Sequence, residues 1–128
     1  MRPPASAGLF HVALKVLDLK ACEHFYVDVL GYTVEWRPDS ENLYLSCGPD
    51  NLALHQVDSI DGSGALDHMG ILLKRAEDVD LWHQFLLQKD VKIDKPPRTH
   101  RDGARSFYCL DPEGNCIQMI YHPPVVEK

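Results

Sequence analysis

The chain has 128 residues, 45% of them hydrophobic and 25% charged, with 13 Lys and Arg against 19 Asp and Glu for a net charge of −6. That length suits one domain with room for a real core. The acidic balance argues against a nucleic-acid surface, which needs a basic footprint, and the lack of a long apolar run argues against a membrane span.

Residues 1–8 (MRPPASAG) are rich in Pro, Ala and Gly, and the first ten residues lack the charged-then-apolar plan of a secretory signal, so a cytosolic location is expected. Phe10, Val12, Leu14 and Val16 then alternate with His11, Ala13 and Lys15, the period-2 signature of a strand with one apolar face; His11 points away from it. Asp18 is placed to cap a helix whose Cys22, Phe25, Tyr26 and Val29 recur at helical spacing, with Gly31 at its end. Three short strands are expected next, over 32–37, 42–47 and 51–57, separated by turn residues. In the last, Leu52 and Leu54 share one face, and Ala53, His55 and Val57 the other. The Gly/Ser-rich stretch 58–65 (DSIDGSGA) reads as a linker.

The same plan then repeats. In 66–74 Met69, Ile71 and Leu73 alternate with His68, Gly70 and Leu72, and Val79, Trp82, Phe85 and Leu86 make a helical stripe. Strands are expected over 91–94, 105–110 and 115–121, the last two joined by a DPEGN turn with Gly114 available for positive φ, while 95–103 (KPPRTHRDG) reads as a loop. The order β-α-β-β-β thus occurs twice, over about 9–57 and 66–122, within a single domain of 128 residues. A gap-free overlay of the halves makes His55 and Gln118 equivalent; a one-sided slip, by two positions, pairs Ala53 with Gln118 instead. Cys22, Cys47, Cys109 and Cys116 have no CxxC spacing and are read as small buried apolar residues.

Each histidine alone is an ordinary core or surface residue. Together, His11, His55, His68 and Gln118 occupy non-apolar faces of strands placed alike in two repeats, which marks a candidate site; imidazole suits late divalent metals, and an amide oxygen can complete a shell without adding charge. Lys92, Lys95, Arg98, His100, Arg101 and Arg105 form a basic cluster that is either a solvated loop or a lid carrying cations to an anionic substrate. Tyr108 is a candidate donor to a substrate oxygen, Trp36 and Tyr44 candidate cavity walls, and Glu35 a candidate base.

Two βαβββ repeats, the HVALKV strand, the HFYVDVLGY helix end, a second His-led strand and the closing SFYCLDPEGNCIQMIY together resemble the vicinal oxygen chelate superfamily over residues 9–122. That superfamily includes glyoxalase I, methylmalonyl-CoA epimerase, fosfomycin-resistance thiol transferases, extradiol dioxygenases and bleomycin-resistance proteins. The resemblance implies an α+β fold whose two modules curve into a cup (the glyoxalase/bleomycin resistance/dioxygenase fold), and a homodimer. It also implies a divalent ion (Zn, Ni, Fe or Mn) on His11, His68 and Gln118, with His55 as an optional fourth ligand or a base, and, because SFYCL resembles the strand that lines the cavity in the thiol transferases, Arg105 as the favoured anion clamp. Gln118 departs from the usual Glu: one negative charge and one base are lost, which disfavours glyoxalase I and extradiol chemistry. Two functions are therefore expected to compete. One is a metal-dependent enzyme acting on a small, possibly anionic molecule with vicinal oxygens. The other is a metal-free, bleomycin-resistance-type protein that sequesters a small molecule against Trp36, Tyr44 and Tyr108.

Overall fold

A computed structural model describes residues 5, 9–60, 66 and 68–123. The chain divides into two compact units, Met1–Asp61 and Gly62–Lys128. The boundary falls in the Gly/Ser-rich stretch, of which residues 61–65 lie outside the described residues. No helix among the described residues is long and apolar enough to cross a membrane.

In the first unit, strand β1 (His11–Val16) leads into helix α1 (Leu19–Glu23). Asp18 caps it by accepting from the Ala21 amide at 3.0 Å. The helix continues as a π-helical stretch, His24–Val29, closed by the Leu30 amide donating to the Phe25 carbonyl. This wider turn advances the apolar face by one position. Leu30 is buried, whereas Val29, expected from regular spacing, is only half-buried. After Gly31, which adopts φ +89°, come β2 (Thr33–Trp36), β3 (Asn42–Ser46) and β4 (Asn51–Gln56). The sheet order is β1-β4-β3-β2, with β1 and β4 parallel and the other pairs antiparallel. Leu14, Val16, Leu43, Leu45, Leu52 and Leu54 line one buried face of this sheet, with Phe25 and Tyr26 buried beside them in the core.

The second unit repeats the order with β5 (Met69–Leu73), α2 (Ala76–Gln88), β6 (Ile93–Thr99), β7 (Arg105–Leu110) and β8 (Cys116–Tyr121), arranged β5-β8-β7-β6. The α+β architecture of two βαβββ modules expected from the sequence is therefore present. Leu73, Val79, Leu86, Ala104, Phe107, Cys109, Ile117 and Met119 are the buried apolar side chains among its described residues. Phe85, assigned to the inward stripe, is 37% exposed and carries the Lys89 ammonium over its ring.

Three further readings are corrected. Residues 95–99 are not loop but the second half of β6, because Pro96 and Pro97 sit on an edge strand where a ladder N–H is dispensable, within an interval of shifted register. Cys47 is exposed just past the end of β3 and Cys116 half-buried, rather than buried, while Cys22 and Cys109 are buried as expected; none of the four is in a disulfide. The gap-free overlay of the halves also fails. Leu45 pairs with Leu52, seven positions on, but Cys109 pairs with Ile117, eight positions on, so the β7–β8 connection is one residue longer.

Its extra length is accommodated by Asp111. This buried carboxylate accepts from the Glu113 and Asn115 amides and the Asn115 side chain, and Gly114 takes φ +87°. The pairing then fixes the equivalences. Ala53 lies opposite Ala13 and Tyr44, as Gln118 lies opposite Gly70 and Tyr108. Ala53, not His55, is the counterpart of Gln118.

Candidate functional site

The polar groups of the first unit gather on the sheet face opposite the leucines. His11 at the start of β1 pairs with Asn51 at the start of β4. Its Nδ1–H donates to Asn51 Oδ1 at 2.6 Å, and Asn51 Nδ2 donates to Glu35 Oε2 at 3.0 Å. Glu35 reaches this face because of a bulge. Val34 pairs with Leu45 and Trp36 with Tyr44, so Glu35 is the unpaired extra residue.

His55 stands in a second chain of the same composition. Its Nδ1–H donates to Asn42 Oδ1 at 2.5 Å, and Asn42 Nδ2 donates to both Asp39 oxygens at 2.9 and 3.1 Å. In each chain the carboxylate takes the amide N–H, so the amide oxygen must face the imidazole. That selects the Nδ1–H tautomer and leaves Nε2 with its lone pair. The Glu41 backbone amide first, and the Asn42 side-chain amide second, hold Asp39 below the usual carboxylate range by donating hydrogen bonds to it.

His11 and His55 do not share one spot. His55 lies four positions beyond Asn51, the partner of His11, or about 13 Å along the strand. It meets the Tyr44 ring edge-on at 5.8 Å, and Tyr44 stacks on Trp36 at 5.2 Å with 23° between the planes. Trp36 is 59% exposed, an unusual position for so large an apolar surface.

In the second unit, Tyr108 is flanked by other sequence-predicted residues. The His68 ring meets it edge-on at 5.5 Å, the Lys95 ammonium lies over its ring at 5.2 Å, and Gln118 is its register partner on β8. Gln118 Nε2 donates to Ser106 Oγ at 3.1 Å, and the buried Ser106 hydroxyl shares a hydrogen bond with His100 Nε2 at 2.9 Å. The amide nitrogen is thus engaged and Oε1 is the end of Gln118 left for a ligand. Gln118 also lines an open concavity of about 490 Å³ with Arg98, His100, Arg101, Asp102 and His122 among its walls.

Arg105 is not with this group. It occupies the other face of β7, alongside buried Phe107 and Cys109, and there donates from Nε and Nη2 to both Asp80 oxygens at 2.9 and 2.7 Å and from Nη1 to Thr99. Its hydrogen bond holds Asp80 below the usual carboxylate range. The guanidinium thus ties β7 to α2. Among the described residues no three His, Cys, Asp or Glu side chains form a group able to hold a metal ion, so a metal here would need an amide oxygen such as that of Gln118. Sequence reasoning missed Asn42, Asn51 and Ser106. Asn and Ser next to turns ordinarily signal turn chemistry, and only strand register reveals what they face.

A family model described as the Glyoxalase/Bleomycin resistance protein/Dioxygenase superfamily matches residues 8–119. The chain is 31% identical over 115 residues to the metallothiol transferase FosB of Staphylococcus epidermidis, covering 85% of this chain and 78% of that protein. Among solved structures, a lactoylglutathione lyase from Agrobacterium tumefaciens superposes with a TM-score of 0.77 at 23% identity, covering 94% of this chain and 96% of the other. A glyoxalase/bleomycin resistance protein/dioxygenase from Alicyclobacillus acidocaldarius gives 0.72 at 24% identity and 95% coverage of both. At those identities the structural likenesses speak for the fold.

Proposed function

The chain belongs to the Glyoxalase/Bleomycin resistance protein/Dioxygenase superfamily, and from that premise we propose that it is a divalent-metal-dependent enzyme acting on a small molecule with two neighbouring oxygens. His11, His68 and Gln118 are the ligands in this reading, and Zn, Ni, Fe or Mn all suit two imidazoles and an amide oxygen. The observation that carries it is the Glu35–Asn51–His11 chain. Metal-binding histidines ordinarily donate their second ring N–H to a fixed acceptor, and His11 does so with Nε2 left over. The relative named a metallothiol transferase supports a metal in general.

A divalent ion bound there would act as a Lewis acid on substrate oxygen. The chain's own residues supply the rest. Gln118 has no basic atom at neutral pH and so cannot take a substrate proton; His55, whose Nε2 lone pair is held in place by Asn42 and Asp39, takes that role for a substrate extended enough to reach along β4 from the ion. We assign His55 to this role rather than to a fourth ligand position, because its register is four residues from that of His11's partner. Tyr108, between His68 and Lys95, is positioned to donate to a substrate oxygen. Superfamily members often form dimers, and a homodimer is part of the reading, checked by sedimentation.

Elemental analysis of protein purified without added metal is the test. A stoichiometric divalent ion is expected in the wild type, little or none in His11→Ala and His68→Ala, and roughly 10–100-fold weaker binding in Asn51→Ala. A wild type that stays metal-free when offered all four ions would overturn the enzyme reading. The alternative, a metal-free sequestering protein, is favoured by one observation, the exposed Trp36 stacked on Tyr44, which offers a flat ligand a large surface.

A further inference from the structure

The fates of the described arginines differ sharply. Arg37 forms a two-point pair with Glu23, Arg75 pairs with Asp78 and Glu77, and Arg105 pairs with Asp80. In a chain with an excess of carboxylates such pairing is the default. Arg98 and Arg101 escape it. Among the described residues neither guanidinium has an ion pair or side-chain hydrogen bond, yet both line the same concavity of about 490 Å³.

The fold holds them there by local chemistry. Arg98 lies near the end of β6, opposite Ser106. Arg101 lies in the tight β6–β7 turn, closed by the His100 amide donating to the Ala104 carbonyl at 2.7 Å, the Gly103 amide donating to the His100 carbonyl at 3.1 Å, and Gly103 at φ +87°. Asp102 accepts from the Ala104 amide through Oδ1 and stands 4.0 Å from His122 Nδ1 through Oδ2. It is the carboxylate among the concavity's lining residues and is engaged within the turn and with His122 rather than with an arginine.

We propose that this concavity binds an oxyanion, a carboxylate or phosphate group of a small molecule, through Arg98 and Arg101. A guanidinium presents several N–H donors in a planar fork matched to such groups, and leaving two of them without carboxylates in an acidic protein keeps that capacity for a ligand. Gln118 lines the same concavity, so the bound anion lies beside the proposed metal ligand. The inference rests on the functional reading only in identifying the anion as part of the substrate; the binding itself requires no metal.

The test is calorimetric titration of the chelator-treated full chain, in low-salt buffer, with inorganic phosphate and separately with malonate. Saturable binding of either probe is expected, and which one binds more tightly tells phosphate from carboxylate chemistry. Arg98→Ala and Arg101→Ala should each weaken it by roughly tenfold or more, the ordinary loss on removing a charge-assisted hydrogen bond. Arg98→Lys should restore part of it. Lys20→Ala, which removes the same charge from the exposed side of α1, should leave it unchanged. The inference is overturned if neither probe saturates, or if Lys20→Ala weakens binding as much as the arginine variants do. Metal content, measured separately, reports on the functional reading, so the two fail independently.

Discussion

An amide differs from a carboxylate by one negative charge and by the loss of a titratable oxygen, and at position 118 that difference bears on both metal affinity and proton transfer. Ser106, itself hydrogen-bonded to His100, occupies the nitrogen end of Gln118, so the oxygen end is the one on offer. Gln118→Glu should therefore tighten divalent-metal binding by at least roughly tenfold through added charge, measured by competition with a chelating dye; unchanged affinity would remove Gln118 from the ligand set. Residue types and alternation were enough to place His11 and Gln118 on the strand faces away from the buried leucines, isoleucine and methionine, while His68 stands just ahead of β5. They were not enough to rank His55 against Ala53. The period of a strand is two, so a single extra residue in a turn shifts every later partner, and nothing in the letters of DPEGN states how many positions the turn consumes.

At the scale of elements, alternation and helical spacing located every strand and both helices, and failed where local composition misled. KPPRT carries the marks of a loop, and becomes strand because β6 has an unpaired edge that tolerates two prolines. Once β6 runs to Thr99, the short hairpin that follows projects Arg101 while Thr99 turns toward Arg105. Arg105 itself belongs to the joint between β7 and α2. Arg105→Ala should lower stability by about 0.5–1 kcal/mol, the usual worth of a half-exposed ion pair, and an Asp80→Ala, Arg105→Ala double-mutant cycle in urea should recover that coupling. The same variant should leave phosphate affinity unchanged. A large loss there would return Arg105 to the binding site.

For the molecule as a whole, each unit carries a buried acid that resists ionisation. In the second, burial pushes the Cys109 thiol up to about 12 from its ordinary value of 9.0. In the first, burial first and then the neighbouring Asp50 raise the Tyr32 phenol. Both folded values lie above the unfolded ones, so their contribution to stability is complete below pH 9 and is lost as the pH climbs through the interval between unfolded and folded values. Thermal melts should be flat in pH below about 8.5 and fall above 9, with a loss on the order of 2 kcal/mol from the thiol alone at pH 10.5. Cys109→Ala should flatten the slope between pH 9 and 11, and an unchanged slope would assign the alkaline loss elsewhere.

The β7–β8 connection is one residue longer than its counterpart between β3 and β4, and Ala53 is the residue that inherits the place of Gln118. A duplicated module offers each of its halves the same seat, and here one half has filled it with an amide and the other with a methyl group. The two copies have become free to diverge, because a mutation at either seat is no longer answered by its twin. For anyone wishing to rebuild a carboxylate-bearing centre on this scaffold, position 53 is the address in the first half, and the neighbouring histidine two residues on is not.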